Sequence, residues 1–261
     1  MTTTHDPDGT TTRGQTVHLN DIEMYYEEYG VGEPLVLLHG FGGCARNWRP
    51  FVAELSMRYR LIVVDLRGHG HSTNPDRTFT HRQAASDVFL LLEHLGIDRC
   101  SAMGISSGGM TLLHMATSQH KRIDAMVLVS ATSHFPDQAR AIMRRASFAT
   151  VPQPVQEMYR ECATRGDAQI RELVTQFNAL HDNYDDMKFT EQELSTITAR
   201  TLVVHGDRDR FFPVEIPVSI YRAIPDAALW IVPGGDHVPI YDSSVPFTSM
   251  ALRFLNGSDS K

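Results

Sequence analysis

The stretch that decides the fold is Gly104-Ile105-Ser106-Ser107-Gly108-Gly109, which joins an apolar run at 101–105 to a segment with helical periodicity. The following helix is predicted to begin at Ser107, because Met110, Leu113 and Ala116 then share one face. Glycines around Ser106 permit a bend in which a Cβ atom would collide with neighbouring backbone. The stretch therefore predicts a strand, a strained turn and a helix, with a serine hydroxyl projecting above the edge of a sheet.

Apolar runs of strand length recur on both sides of this turn. Two run through 16–19 and 22–29 and flank a predicted hairpin at Asn20-Asp21, and the other six lie at 35–38, 61–64, 101–105, 125–129, 201–204 and 229–232. Those six are almost continuously apolar, as in strands that are covered on both faces of a sheet. Because helical patterns separate them, the sequence predicts an α/β fold with a doubly wound, mostly parallel sheet of eight strands.

One interval breaks the alternation of strands and helices. Residues 132–197 follow the sixth predicted strand and show helical periodicity at 139–148, 155–163 and 170–180. We interpret this interval as a helical cap inserted into a core formed by 16–131 and 198–256, with a plain tertiary pair of helices as the alternative. The first 15 residues, rich in Thr, Asp and Gly, are predicted to form a disordered tail without a secretory segment.

The composition of the chain limits the kinds of molecule that it is expected to bind. The chain has 261 residues, with Lys+Arg 24 against Asp+Glu 31 and a net charge of −7, which disfavours a nucleic-acid-binding protein. No apolar run is long enough for a membrane span. Cys44, Cys100 and Cys162 are widely spaced and odd in number, so we expect packed thiols in a reducing, cytoplasmic setting. The cysteines have no spacing typical of a metal site. The acidic residues Asp182, Asp185 and Asp186 beside His181 are interpreted as a solvated helix end rather than as a metal cluster.

A serine at its ordinary pKa needs a base, and the base needs an orienting acid. The chain has 13 histidines, of which His237 directly follows the last predicted strand. Asp207 and Asp209 both follow the preceding strand. Since the carboxyl ends of parallel strands share one edge of a sheet, Ser106, one of these aspartates and His237 are expected to meet there.

These motifs together resemble the α/β-hydrolase superfamily. The resemblance rests on His39-Gly40-Phe41-Gly42, Gly104–Gly108, Gly206-x-x-Asp209 and Gly235-x-His237, and it extends from Thr16 to Leu255. It implies the α/β-hydrolase fold, with a cap after the sixth strand. It further implies Asp209 rather than Asp207 as the acid, and an oxyanion hole formed by the backbone N–H groups of Phe41 and Ser107.

The resemblance also implies a reaction. Ser106 would attack a carbonyl carbon to form an acyl-enzyme that water then hydrolyses, with a carboxylic ester as the first expected substrate. Lactones or enol-lactones, carbon–carbon bond hydrolysis and cofactor-free perhydrolysis are alternatives, as is a ligand sensor that retains the triad. We expect no cofactor or metal, a small-molecule ester or lactone as partner and a possible homo-oligomer. The predicted substrate pocket comprises Phe41, Phe135, Met143, Phe148 and Phe177.

Overall fold

A computed structural model of the chain describes residues 2–5 and 11–257. The strands are β1 (Thr2–His5), β2 (Thr11–Leu19), β3 (Ile22–Tyr29), β4 (Glu33–Leu38), β5 (Tyr59–Val64), β6 (Cys100–Ile105), β7 (Ile123–Val129), β8 (Arg200–Gly206) and β9 (Ala227–Val232). The helices are α1 (Arg49–Leu55), α2 (His81–His94), α3 (Ser107–Ser118), α4 (Asp137–Arg145), α5 (Gln153–Cys162), α6 (Asp167–Ala179), α7 (Glu191–Leu194), α8 (Glu215–Ala223) and α9 (Phe247–Leu255).

The described strands form a sheet in the order β1-β2-β3-β5-β4-β6-β7-β8-β9. From β5 to β9 neighbouring strands pair in parallel, and β1, β2 and β3 pair antiparallel at one end. Non-consecutive neighbours require crossover connections, and helices supply them. The predicted α/β class and mostly parallel, doubly wound sheet are confirmed.

The central strands are buried on both faces, as their composition predicts. In β4, Leu35 and Leu37 pack with α1 and α9, whereas Val36 and Leu38 pack on the opposite face with α2 and α3. Because successive side chains of a strand point to opposite faces, one strand contributes to both layers of the core. The rim where the parallel strands end is therefore held rigidly from both sides.

The prediction of a disordered tail over 1–15 is wrong where the structure describes this segment. Backbone pairing places Thr2–His5 as β1 against β2, which itself begins at Thr11 rather than Thr16. Threonine has a high β propensity, and the edge of the β2–β3 hairpin offers unpaired backbone groups to an added strand. The sheet thereby gains a ninth strand beyond the eight that we predicted; residues 1 and 6–10 lie outside the described residues.

The interval 132–197 leaves the sheet after β7, the sixth of the predicted strands, and returns at β8. It contains α4, α5 and α6, whose bounds differ by a few residues from the three predicted helical segments, and the short helix α7, which was not predicted. Tyr159 of α5 packs with Ile170, Leu173 and Val174 of α6, and Phe41 of the core packs against this cluster. Residues 132–197, which we call the cap, therefore pack on the loop after β4 and line one cavity together with Ser106 and His237.

The expectation of unpaired thiols is wrong for two of the three cysteines. Cys44 lies in the loop after β4 and Cys162 ends α5, and the two form a disulfide across 118 positions of sequence, while Cys100 is free and buried. Folding of α5 over the rim brings the pair together, which sequence spacing did not reveal. The predicted cytoplasmic location therefore has no support from the cysteines. Over the described residues, no helix combines the length and the apolar character needed to cross a bilayer.

Candidate active site

Ser106 lies in a strained turn between β6 and α3. Its backbone has φ 51° and ψ −111°, a conformation that L-residues rarely adopt. A Cβ atom at Gly104 would stand 2.4 Å from the carbonyl carbon of Gly108, and one at Gly108 would stand 2.2 Å from the backbone oxygen of Leu38. Only glycine allows β6, the turn and α3 to pack this closely, so these two glycines hold the Ser106 hydroxyl at the rim.

His237 and Asp209 complete a chain of hydrogen bonds that starts at Ser106. His237 Nε2 is 2.9 Å from Ser106 Oγ, and His237 Nδ1 is 2.8 Å from Asp209 Oδ2. The other carboxylate oxygen of Asp209 accepts the backbone N–H groups of Phe211 and Phe212 at 2.7 and 3.1 Å. Burial raises the pKa of Asp209, but the hydrogen bonds from His237 and these two amides outweigh burial and lower it. The carboxylate is therefore ionised and fixes Nδ1 of His237 as the protonated nitrogen.

The neighbouring aspartates face elsewhere. Asp207 accepts the N–H of Gly234 at 2.6 Å and so closes a turn between the loops after β8 and β9. Asp236 accepts the backbone N–H of His237 at 2.8 Å, an exposed local contact. The structure thus joins Asp209, and neither Asp207 nor Asp236, to the imidazole of His237.

The loop after β4 places Phe41 beside this site. His39 is fully buried, accepts the N–H of Leu66 at Nε2 and donates from Nδ1 to the carbonyl of Gly40 at 2.7 Å. Burial lowers the pKa of His39, so its imidazole is neutral, as these two bonds require. Among the described residues, the backbone N–H groups of Phe41 and Ser107 donate to no other group. Two unpaired amides beside a serine hydroxyl are the groups that an oxyanion hole needs.

A cavity of about 770 Å³ opens over Ser106 beneath the cap. Phe41, Phe135, Met143 and Phe177 line it, as predicted, and further apolar side chains come from Met110, Val174, Leu180 and Phe211. Phe148 does not line it, so its assignment to the pocket is wrong. The Phe148 ring packs on the cap side under the guanidinium of Arg171, whose Cζ atom is 3.7 Å from the ring centroid.

Sequence reasoning missed two groups of residues near the triad. Phe211 and Phe212 flank the imidazole of His237, with ring centroids 5.1 and 5.3 Å away. His81 and Asp186 are buried and connect to the side chain of Ser107. Asp186 belongs to an acidic run that we expected to be solvated. Thr80 and Gln83 form a capping-box pattern that predicts a helix start at His81, but no sequence signal pairs His81 with a residue of the cap.

No group of three or more His, Cys, Asp or Glu side chains in the described ranges is arranged to hold a metal ion. The titratable groups at the rim are instead engaged pairwise in hydrogen bonds. This arrangement can move a proton from a serine hydroxyl to an imidazole and stabilise the resulting positive charge, which is the chemistry of nucleophilic catalysis.

Comparisons with known proteins identify the family of the chain. A sequence model of the alpha/beta hydrolase fold matches residues 33–172. The chain is 24% identical to 2-hydroxy-6-oxo-6-(2'-aminophenyl)hexa-2,4-dienoic acid hydrolase of Metapseudomonas resinovorans, covering 92% of this chain and 90% of that protein. It is 25% identical to the human serine hydrolase BPHL, covering 95% and 88%.

Among solved structures, the enol-lactonase from Burkholderia xenovorans LB400 superposes with a TM-score of 0.75 at 24% identity, covering 93% of this chain and all of that one. A likeness at this identity supports the fold. The family match covers more than half of the chain, including the turn at Ser106. The chain therefore belongs to the α/β-hydrolase family.

Proposed function

We propose that this protein is a serine hydrolase that cleaves small carboxylic esters through an acyl-enzyme on Ser106. The observation that carries the proposal is the continuous chain from Ser106 Oγ to His237 Nε2 at 2.9 Å and from His237 Nδ1 to Asp209 at 2.8 Å. A hydroxyl that is hydrogen-bonded to an oriented imidazole is an activated nucleophile.

In the proposed reaction, Ser106 Oγ attacks the carbonyl carbon of the ester while its proton passes to His237 Nε2. The N–H groups of Phe41 and Ser107 stabilise the tetrahedral oxyanion. His237 then donates the proton to the departing alcohol oxygen, leaving an acyl group on Ser106. Water, deprotonated by the same imidazole, then attacks the acyl carbon; the bond to Ser106 Oγ breaks, His237 returns the proton to Oγ, and the acid product departs.

The cavity supports an ester with an apolar acyl or alcohol group. Its lining is mostly aliphatic and aromatic, and its size is within the range of pockets for small molecules. Among the described residues that line it, Arg145 is the sole Lys or Arg side chain, and it is exposed at the mouth. The interior therefore favours neutral groups over carboxylates.

Hydrolysis of p-nitrophenyl esters of increasing acyl length tests the proposal. We expect multiple turnovers by the wild type and a loss of kcat of roughly 10⁴-fold or more in Ser106→Ala, because removing a triad nucleophile leaves only binding and the oxyanion donors. Equal activity of Ser106→Ala and the wild type would refute the proposal. Binding of the esters with at most one slow turnover would instead indicate a sensor.

Carbon–carbon bond hydrolysis is a second candidate. The relative from Metapseudomonas resinovorans is named for a dienoic acid substrate, and Arg145 could pair with a substrate carboxylate at the cavity mouth. Turnover of such a dienoate at a kcat/KM at least tenfold above that for any p-nitrophenyl ester or lactone, and its loss in Ser106→Ala, would favour this reaction over ester hydrolysis.

A further inference from the structure

A second buried chain of hydrogen bonds links the cap to the turn at Ser106. Asp186 of the cap is 2.6 Å from Nδ1 of His81, the first residue of α2, and His81 Nε2 is 3.0 Å from Ser107 Oγ. The exposed fractions of Ser107, His81 and Asp186 are 3%, 0% and 4%. These three side chains and the hydrogen bonds between them are therefore almost completely shielded from water.

Asp186 is anchored on several sides. Its carboxylate also accepts the backbone N–H groups of His81 and Arg82 at 2.9 and 3.1 Å, which caps the start of α2. Its own carbonyl lies 2.8 Å from Nε2 of His114 on α3, and its N–H donates to the side chain of Asn183. Burial raises the pKa of Asp186, but the hydrogen bonds from His81 lower it to about 2, so the carboxylate is ionised.

The ionised carboxylate orients the ring of His81. Because Asp186 can only accept, Nδ1 of His81 carries a proton. The other ring nitrogen, Nε2, is hydrogen-bonded to the Ser107 hydroxyl at 3.0 Å. This bond fixes the side chain of Ser107, and the carbonyl of Ser107 is held as well by the hydroxyl of Thr111 at 2.9 Å.

These three residues are hydrogen-bonded in the same order, acid to histidine to serine, as the triad at Ser106, but they lie at a different place. Ser106 is half-buried at the cavity, whereas Ser107 is almost fully covered and its hydroxyl is directed to a ring with no exposed surface. The group that Ser107 offers to the reacting carbonyl is its backbone N–H. Fixing the side chain of Ser107 therefore orients the first peptide unit of α3, which carries that N–H.

We propose that His81 and Asp186 are positioning residues that act through Ser107 to hold its backbone N–H in the oxyanion hole. The inference rests on the proposed function, since it assumes attack by Ser106. Because Asp186 belongs to the cap, the oxyanion of the transition state is fully stabilised only when the cap packs against α2 and α3.

A double-mutant cycle with Ser107→Ala and His81→Phe tests the inference on the full chain. We measure kcat and KM for a p-nitrophenyl ester, the inhibition constant of an alkyl trifluoromethyl ketone, which forms a tetrahedral adduct, and the melting temperature. Each single variant should lower kcat about 10- to 100-fold with KM within about twofold, because a displaced oxyanion donor acts only in the transition state. Affinity for the ketone should fall by a similar factor.

The kcat of the double variant should lie within about twofold of the kcat of the slower single variant, because His81 acts through Ser107. Ser107→Thr, which keeps the hydroxyl, should restore kcat to within about threefold of wild type. Val88→Ala, in the buried face of the same helix α2, is the stability control and should lower the melting temperature without lowering kcat.

The inference would be overturned if the two substitutions lowered kcat by independent factors that multiply in the double variant. It would also be overturned if they changed only the melting temperature and KM. These results are distinct from failure of the proposed function, which Ser106→Ala reports separately. An inactive Ser106→Ala together with unchanged kcat in Ser107→Ala and His81→Phe would refute the inference while leaving the proposed function in place.

Discussion

At the scale of single residues, Asp207 and Asp209 are two positions apart in one loop but have different partners. Asp209 is almost fully covered, with an exposed side-chain fraction of 1%, and accepts the imidazole N–H of His237. Asp207 accepts a backbone N–H at the surface. The two residues lie in the turn after β8, in which the N–H of Asp209 donates to the carbonyl of Gly206 at 3.2 Å, and their different partners make the pair a matched comparison.

Substitution of each aspartate by asparagine should separate their functions. Asp209→Asn should lower kcat about 10³- to 10⁴-fold, because an amide stabilises the wrong tautomer of the imidazole. Asp207→Asn should keep kcat within about twofold, because an amide oxygen can still accept the N–H of Gly234. Steady-state kinetics on a p-nitrophenyl ester provides both values, and the reverse ranking would exchange the two assignments.

At the scale of elements, the cap helices provide much of the cavity wall. Phe177 of α6 contacts Phe41 and Phe211 with ring centroids 5.3 and 6.2 Å away, so it bridges the cap and both rim loops. Phe148, after α4, packs within the cap and outside the cavity. Two phenylalanines of one segment thus differ in whether a substrate can touch them.

Phe177→Ala should therefore enlarge the cavity and change substrate preference, whereas Phe148→Ala should not. We expect the Phe177 variant to raise KM for short acyl esters about 5- to 30-fold and to shift the optimum toward longer acyl chains, since one buried aromatic contact contributes roughly 1 to 2 kcal/mol of binding. The Phe148 variant should keep the acyl-length profile and lose only stability. Identical profiles for the two variants would contradict the assignment.

The contact between α3 and the cap also involves a buried histidine. His114 is 7% exposed, and burial lowers its pKa from 6.5 to about 4. In the unfolded chain the same imidazole gains a proton near pH 6.5. Between these two values the unfolded state binds more protons, so the free energy of unfolding falls as the pH falls through this window.

His114→Gln should reduce this acid sensitivity, because a neutral amide can still donate to the carbonyl of Asp186. Urea unfolding at pH 6.5 and pH 4 should show a loss of unfolding free energy that is about 2 to 3 kcal/mol smaller in the variant than in the wild type. An equal loss in the two proteins would show that His114 makes no such contribution.

At the scale of the whole molecule, a disulfide cross-links the cap to the core. The Cys44–Cys162 disulfide ties the loop after β4, which carries Phe41, to the end of α5. Tyr159 of the same helix covers Gly42, where a Cβ atom would stand 1.6 Å from its ring. The disulfide and this contact together hold the cap over the rim.

Reduction of the disulfide should destabilise the protein. The cross-link closes a loop of 118 residues, and we expect reduction to lower the free energy of unfolding by about 2 to 4 kcal/mol. Urea unfolding with and without a phosphine reductant measures this difference. The free energy of unfolding of Cys162→Ser should not change with the reductant, and that of Cys100→Ser should fall as it does in the wild type. An unchanged value in the wild type would show that the bond does not form.

The fold was predictable because local signals agree with the global arrangement. Apolar runs such as Leu35–Leu38 and the glycines around Ser106 fix strands and the turn by short-range sterics. The cap contacts were not predictable, since the Cys44–Cys162 bond and the Asp186–His81 pair join residues more than 100 positions apart. Phe148 shows the same limit, because periodicity predicts a helical segment but not which face of it meets the cavity.

A search for the proposed acyl-enzyme on Ser106 tests the proposed mechanism most directly. A slowly hydrolysed ester, mixed with the wild-type protein and quenched in acid, should leave an adduct of acyl mass on the intact chain. Peptide fragmentation should place that adduct on Ser106, and the Ser106→Ala chain should carry none. Turnover without any acyl adduct, or an adduct on Ser107 in place of Ser106, would contradict it.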